Sequence, residues 1–215
     1  MTITDVKRTK RGRLAVYAQG EFRFSADEQT ASEFGLRPGA ELSEEELARA
    51  QAAAEKRSAV EKALTLLSYR DHSGKELRDK LKGRVDPEAA EEAARRMEEL
   101  GLVNDAAFAR ELAQELLERR LCGAARAVYE LTRRGIPREQ AEETVAELDT
   151  DPQGRLARAL RKKYPAGLPD EAARQRARAY FGRQGFAWDD IRAALRDFEE
   201  ENGETAGSGA DDFGV

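Results

Sequence analysis

Residues 131–136 have the sequence LTRRGI, and two other stretches repeat its pattern: LKGRV at residues 81–85 and FGRQGF at residues 181–186. Each stretch begins with a large apolar residue, passes through a glycine and ends on a second apolar residue. Successive copies lie about 50 residues apart, which is typical of tandem structural repeats. The first copy is one residue shorter, so we expect its turn to be tighter.

The residues around each turn predict a helix on both sides of it. Apolar residues follow each turn at helical spacing, which indicates one buried face. The turn glycines, Gly83, Gly135 and Gly185, suit helices that end in a left-handed residue. The apolar residues that follow the three turns are Val85, Ala90, Ala94 and Met97; Ile136, Ala141, Val145 and Leu148; and Phe186, Ile191, Leu195 and Phe198.

Start signals for helices complete the repeat. Ser43 and Ser73 each precede a glutamate by three residues, the pattern of a capping box, and Asp86 precedes a proline at a first helical position. A unit of about 50 residues buries little surface by itself, so neighbouring units are expected to stack. The sequence predicts a mainly α protein with three tandem three-helix, helix-turn-helix-like repeats in an elongated array.

The two ends of the chain differ from the repeats. Apolar and polar residues alternate on both sides of Gln19-Gly20, with Phe22 and Phe24 in the second run, which predicts a small N-terminal β-hairpin. The C-terminal residues are rich in Gly, Ser and Asp, a composition that favours disorder. The predicted divisions are a hairpin extension at 1–42, a long helix with the first repeat at 43–103, the second repeat at 104–150, the third at 151–201 and a disordered acidic tail at 202–215.

Composition excludes a membrane or secreted protein. No run approaches the roughly 18 apolar residues of a membrane span, and no basic start followed by an apolar core marks a signal peptide. The single cysteine, Cys122, suits a reducing compartment. We therefore expect a cytoplasmic protein with no membrane partner.

No group of residues has the spacing of a catalytic or metal site. His72 is the only histidine, which is too few for a metal triad or a Ser-His-Asp arrangement. We expect His72 to have a capping or exposed position at a helix junction. Cys122 lacks a second thiol, and no phosphate-binding glycine loop is present. The sequence predicts a protein that is not an enzyme and that carries no cofactor or metal.

The net charge of −5 conceals a strong asymmetry along the chain. Residues 152–196 carry a net charge of +7, whereas residues 197–215 carry −7. Within each repeat the middle helix is basic and the third helix is acidic. If equivalent helices face the same way, the basic helices form one stripe, the surface expected for DNA or a DNA-coated partner. Few Asn or Gln residues stand on these helices for reading base edges, which favours contact with phosphates.

Three segments resemble RecX, the bacterial regulator of the RecA recombinase. They are ALTLLSYRDHSGKELR at residues 63–78, LGLVND at 100–105 followed by Phe108 and Ala109, and RRGI at 133–136. The resemblance extends over residues 58–198. It implies a protein without enzymatic activity that binds the RecA–DNA filament in its helical groove. Such a protein inhibits or modulates RecA ATPase, filament growth and strand exchange in recombination, DNA repair and the SOS response.

The expected partners are the RecA filament and single- or double-stranded DNA, reached through the filament or directly, by a monomer of this chain. Two alternatives stay open: a free-standing DNA-binding helix-turn-helix regulator, and a protein–protein scaffold with no polyanion partner. The candidate partner- or DNA-binding residues are Tyr69, Arg70, Lys75, Arg78, Lys82, Arg110, Arg119, Arg120, Arg126, Arg133, Arg134, Arg174, Arg178 and Arg183.

Overall fold

The structure is a computed structural model that describes the backbone of residues 1–207 and the side chains of residues 1–201. The chain divides into two compact units, Met1–Asn104 and Asp105–Val215. No helix within the described part of the chain is both long and apolar enough to cross a bilayer.

The first unit begins with a three-stranded antiparallel sheet in the order β1-β2-β3. Its strands are β1 (Ile3–Arg8), β2 (Leu14–Ala18) and β3 (Glu21–Ala26). The predicted hairpin is confirmed as β2 and β3, and Gln19 and Gly20 make its turn with φ angles of 54° and 85°. The sequence prediction lacked β1, because Ile3 is the one fully buried residue of that strand and the strand shows little alternation.

A β-bulge at Arg23 separates the two phenylalanines of β3. Val16 pairs with Phe24, but the next residue of β2, Tyr17, pairs with Phe22. β3 therefore has one extra residue, Arg23, between these two pairs. The extra residue places the Phe22 side chain on the opposite face of the sheet from Phe24. Phe24 is buried in the core at 5% exposure, whereas Phe22 is 55% exposed.

A single long helix links the sheet to the first repeat. After the short α1 (Glu28–Glu33), α2 runs over Glu44–Leu67 and begins with the predicted capping box of Ser43 and Glu46. Buried residues in its first half, such as Leu47, pack with the sheet. Buried residues in its second half, such as Leu66, belong to the core of the repeat.

The first repeat is completed by α3 (Gly74–Lys82) and α4 (Pro87–Glu99). Both predicted helix starts are confirmed, because the Ser73 side chain accepts from the amide of Glu76 and the Asp86 side chain accepts from two amides of α4. Leu77, Leu81 and Met97 are fully buried and fill the space between the helices.

The second unit contains two further groups of three helices. The first group is α5 (Asp105–Gln114), α6 (Ala124–Arg133) and α7 (Arg138–Leu148), and a π-helical turn, Glu115–Arg119, extends α5. The second group is α8 (Pro152–Lys163), α9 (Glu171–Arg183) and α10 (Trp188–Gly207). Each group has its own apolar core, so the prediction of three three-helix repeats is confirmed. The elongated arrangement stays a prediction.

The turn of the first repeat differs from the other two in its hydrogen bond and in the conformation of its glycine, because it is one residue shorter. In the second and third repeats the amides of Ile136 and Phe186 each donate across the turn to the carbonyl five residues back, at 3.2 Å. Gly135 and Gly185 are left-handed there, with φ angles of 97° and 86°. The prediction of a left-handed Gly83 is wrong, because its φ is −78°. The shorter first turn closes with a bond from the Val85 amide to the carbonyl four residues back and needs no left-handed residue.

The second and third repeats meet through their backbones. The Gly123 amide, just before α6, donates to the carbonyl of Gln184 in the turn before α10, at 2.8 Å. A Cβ added at Gly123 would lie 2.2 Å from the carbonyl of Gly185, and one added at Gly185 would lie 2.3 Å from the amide nitrogen of Arg126. Only glycine fits at these two positions.

The predicted disordered tail at 202–215 lies outside the described residues, apart from the last turns of α10. That helix continues to Gly207, beyond the predicted boundary at residue 201.

The first prediction concerns the contact between Gly123 and Gly185. Replacing Gly123 by Ala should lower the free energy of unfolding by about 1–3 kcal/mol, since the new methyl group overlaps backbone atoms that cannot rotate away. Urea unfolding followed by circular dichroism measures the change. Gly83→Ala is the matched control: its φ is negative and nothing lies within 4 Å of the added Cβ. That variant should be unchanged or up to about 1 kcal/mol more stable, and equal losses in both variants would contradict the prediction.

Candidate partner interface

The predicted cations of the first repeat pair mainly with acids of the same repeat. Arg78 on α3 donates to Glu91 and to Glu98 on α4, both at 2.7 Å. Lys82 lies 3.7 Å from Glu91. Arg78 therefore joins the basic middle helix to the acidic third helix. Lys75 pairs instead within α3, with Asp79 at 2.7 Å.

The segment between α2 and α3 places one aromatic and one cation at the surface. Tyr69 is 82% exposed, and the Arg70 guanidinium donates to Glu76 at 3.0 Å. His72, between them and α3, is 3% exposed, so the expectation of a capping or exposed histidine is wrong. Its Nδ1 lies 3.1 Å from a carboxylate oxygen of Glu76. An ionised carboxylate can only accept, so this Nδ1 carries the proton.

On α6 two arginines share one acid. Arg126 and Arg133 lie 2.6 and 3.1 Å from the two carboxylate oxygens of the half-buried Glu130. The Arg126 guanidinium also lies 5.5 Å from the ring centre of Tyr129, which is 56% exposed. Arg134 is the half-buried residue that follows α6.

The remaining predicted cations of the second unit fall into two groups. Arg174 pairs with Glu171 and with Glu199 of α10, and Arg178 pairs with Glu171 at 3.3 Å. Arg110 pairs with Glu147 of α7 at 3.1 Å. Arg183 and Arg119 are exposed and make no ion pair within the described residues. Exposed ion pairs contribute about 0–1 kcal/mol, so a phosphate can replace the acid at most of these positions.

A local irregularity of the backbone positions Arg119 and Arg120. The π-helical turn ends at Arg119, and the Arg120 amide donates to the carbonyl five residues back at 3.0 Å. Leu121 follows with a φ of 54°, an uncommon angle for a residue with a side chain. Its side chain packs on the core of the third repeat. The burial of Leu121 therefore turns the chain so that Arg120 faces the third repeat.

This turn forms one wall of a cleft of about 290 Å³ with α8 and α9. We call it the basic cleft and define it by Arg120, Lys162, Lys163, Tyr180 and Gln184, which line it. Lys163 lies with its Nζ 4.0 Å from the centre of the Tyr180 ring. Arg120 pairs with Glu115 at 2.8 Å, and no acid among the described side chains lines the cleft.

The sequence prediction included Arg120 but missed Lys162 and Lys163. It considered the middle helices, whereas these lysines end the first helix of the third repeat. The net charge of +7 on residues 152–196 includes Lys162 and Lys163, so this charge count was the sequence feature that could have indicated them. Neither lysine has an ion pair among the described side chains. Two ammonium groups without a carboxylate partner among the described side chains suit a phosphate group.

The structure offers little for covalent or metal chemistry. Among the described residues, no group of three or more His, Cys, Asp or Glu side chains could hold a metal ion. Burial raises the pKa of the Cys122 thiol, against the lowering effect of Arg126 and Arg120. The thiol therefore stays protonated at neutral pH and is a weak nucleophile.

The repeats define the class of the protein: a mainly helical protein built from three-helix repeats with highly charged surfaces. The chain belongs to the RecX family. Residues 59–97 match the family profile described as RecX, first three-helix domain, and residues 104–145 match RecX, second three-helix domain.

Curated relatives support this over nearly the whole chain. Regulatory protein RecX of Bacillus velezensis is 30% identical over 212 residues, which cover 95% of this chain and 80% of the relative. Regulatory protein RecX of Clostridioides difficile is 29% identical over 198 residues, which cover 90% of this chain and 93% of the relative.

Two crystal structures share the fold. A regulatory protein RecX is 22% identical with a TM-score of 0.63, covering 91% of this chain and 98% of the other. RecX from Lactobacillus salivarius is also 22% identical, with a TM-score of 0.56, and covers 68% of this chain and 98% of its own.

The second prediction concerns the pH dependence of stability. Burial lowers the pKa of His72 from its usual 6.5, more than the hydrogen bond to Glu76 raises it, and Arg70 and Lys80 lower it further. Below pH 6.5 the unfolded state therefore binds more protons than the folded state, and stability falls as the pH falls. The slope between pH 7 and pH 5 should reach at most about 1.4 kcal/mol per pH unit.

The variant His72→Gln provides the comparison. The chain has one histidine, and carboxyl groups in general titrate at lower pH, so this variant should lose most of the slope in that window. Urea unfolding at several pH values measures both proteins. Equal slopes in the two proteins would show that His72 does not control this dependence.

Proposed function

We propose that this protein is a non-enzymatic regulator that binds the RecA–DNA filament in its helical groove and inhibits or modulates RecA ATP hydrolysis, filament growth and strand exchange. It acts in the cytoplasm as a monomer, during recombination, DNA repair and the SOS response. The observation that carries the proposal is membership of the RecX family, whose curated members are named regulatory proteins.

The charged surfaces support binding to an anionic filament. Many of the candidate arginines are exposed and held by single ion pairs, and Arg119, Arg183, Lys162 and Lys163 make none within the described part of the chain. Release of counterions from DNA phosphates exceeds the small free energy of such exposed pairs. Binding can therefore proceed by exchange of protein carboxylates for DNA phosphates.

A second function is favoured by the basic cleft. A surface that takes a phosphate group can bind DNA without RecA, as a free-standing DNA-binding regulator would. The two functions differ in their need for RecA: a filament regulator changes RecA activity, whereas a free-standing regulator binds DNA equally with and without RecA.

The third prediction tests regulation of RecA. Substoichiometric amounts of the protein should slow DNA-dependent ATP hydrolysis by RecA, because one bound molecule restrains several subunits or stops growth of the filament. Steady-state ATPase rates measured against increasing protein give the result. Unchanged ATPase rates at equimolar protein would contradict the proposal that this protein regulates the filament. The alternative, a free-standing DNA-binding regulator, would then stand.

The fourth prediction tests the basic cleft and its neighbour Arg119. Replacing Arg119, Arg120, Lys162 and Lys163 by Ala should weaken binding to single-stranded DNA. Each lost phosphate contact should reduce the slope of log K against log salt by about 0.7. Fluorescence anisotropy over a range of salt concentrations measures both quantities.

The matched control removes four cations that do not line the cleft: Lys56, Arg95, Arg96 and Arg138. Three of them pair with glutamates on their own helices. This control changes the net charge equally, so it should keep the slope near that of the unmodified protein. If the cleft variant loses affinity at an unchanged slope, these four residues support the fold of the binding surface and do not contact phosphate.

A further inference from the structure

A second cleft lies in the first unit, and none of the candidate partner- or DNA-binding residues from the sequence lines it. It has a volume of about 520 Å³ and lies between β3, the middle of α2 and the turn that joins α3 to α4. We call it the N-terminal cleft. Its walls include Arg11, Phe22, Arg23, Lys62 and Arg84.

Four of the five cations that line the N-terminal cleft make no ion pair within the described residues; the fifth, Arg13, pairs with Glu61 at 3.0 Å. Arg11, Arg23 and Arg84 are exposed, and their side chains make no ion pair within the described residues. The half-buried Lys62 donates to the backbone carbonyl of Arg84 at 3.1 Å and has no carboxylate partner among the described side chains.

Each acid in the walls already accepts a hydrogen bond. Glu61 accepts from Arg13 at 3.0 Å, and Asp86 accepts from the amides of Glu88 and Ala89 at the start of α4. Glu55 accepts from the side-chain amide of Gln51 at 2.9 Å. Five cations and three carboxylates line the cleft, so its described lining has an excess of positive charge.

Electrostatic repulsion from the neighbouring arginines affects the pKa of Lys62. Burial lowers the pKa of the Lys62 ammonium, and the charges of Arg13, Arg84 and Arg11 lower it further, against the opposing effect of Glu61. A ligand that carries negative charge into the cleft would relieve this repulsion. The cleft is thus electrostatically prepared for an anion.

The β-bulge at Arg23 supplies the second, independent observation. It turns Phe22 out of the core, and the ring is 55% exposed. Tyr17 packs edge-on against that ring, with the centroids 5.8 Å apart, and so restrains it. Bulges re-aim side chains in this way next to binding sites. An exposed aromatic ring among unpaired arginines is the arrangement that binds an unstacked base beside its phosphates.

From this geometry we infer that the N-terminal cleft binds single-stranded nucleic acid, with phosphates at Arg11, Arg23, Lys62 and Arg84 and a base on the Phe22 ring. The inference rests on the proposed function only in taking nucleic acid as a ligand. Double-stranded DNA would offer phosphates but no free base face for Phe22. An acidic peptide without aromatic residues would offer carboxylates and no ring to stack.

The test measures binding of the full-length protein to a short oligothymidylate without RecA, by fluorescence anisotropy over a range of salt concentrations. The triple variant Arg11→Ala, Arg23→Ala, Arg84→Ala should reduce the slope of log K against log salt by about 2, at about 0.7 for each lost phosphate contact. The variant Phe22→Ala should weaken binding about tenfold, as expected for loss of one stacked base, at an unchanged slope. Phe22→Tyr, which keeps the aromatic face, should retain the affinity.

Control variants separate the cleft from general charge loss. Arg37→Ala, Arg49→Ala and Lys56→Ala together remove the same charge from exposed positions of the same unit that do not line the cleft. This control should keep the salt slope. An equal loss of slope in both triple variants would overturn the inference. Unchanged affinity of the Phe22→Ala variant would also overturn it. Urea unfolding of each variant confirms that the fold is retained.

Acylation of lysines gives a readout that needs no substitution. Bound oligothymidylate should protect Lys62 from an amine-reactive reagent, while the exposed Lys56 on the same helix reacts at an unchanged rate. Protection by an acidic peptide of equal charge, at the same concentration, would show that the cleft binds protein and would overturn the nucleic-acid ligand.

The ATPase assay distinguishes this inference from the proposed function. RecA inhibition without protection of Lys62 would contradict this inference alone, and protection of Lys62 without RecA inhibition would contradict the proposed function alone.

Discussion

A hydrogen bond across the repeat turn sets the geometry on which the helical repeats depend. In the second and third repeats an amide just after the left-handed glycine reaches the carbonyl five residues back, at 3.2 Å. This bond holds two apolar residues, Leu131 with Ile136 or Phe181 with Phe186, at one end of each core, where all four are almost completely buried. The bond thereby fixes the orientation of the helix that follows the turn, so that the apolar face of this helix packs on the core. The first repeat reaches the same result with one residue fewer and a four-residue bond.

The distribution of charge follows from the same arrangement. Because the turn packs the middle and third helices of a repeat together, a basic middle helix can pair with an acidic third helix, as Arg78 does with Glu91 and Glu98. Such pairing keeps a chain with 37% charged residues from repelling itself. Cations near turns and helix ends, such as Lys162 and Lys163, escape this pairing. The surfaces available to an anionic partner are therefore at the edges of the repeats as well as on the middle helices.

Periodicity and capping residues predicted the repeats because they depend on local sequence. The buried positions of Leu81, Leu131 and Phe181 and the helix starts at Ser43 and Ser73 all follow from spacing within one repeat.

Features that depend on contacts between distant residues were missed. Strict alternation cannot show the bulge that exposes Phe22, since a bulge is defined by the neighbouring strand. The burial of His72 arises from the packing of the repeat core, and the basic cleft joins residues 120 and 162 from different repeats. Helix-by-helix counting of charge also could not show which arginines are paired.

The shared helix α2 has a consequence for how the first unit opens. Its 24 residues span about 36 Å at 1.5 Å per residue, and its two halves contribute to two different apolar cores. Separation of the sheet leaves the first half of α2 without its packing partners, and loss of the repeat does the same to the second half. An isolated helix of this kind has little stability in water. The sheet and the first repeat are therefore coupled in cooperative unfolding, and the N-terminal extension stabilises the first repeat through the helix that they share.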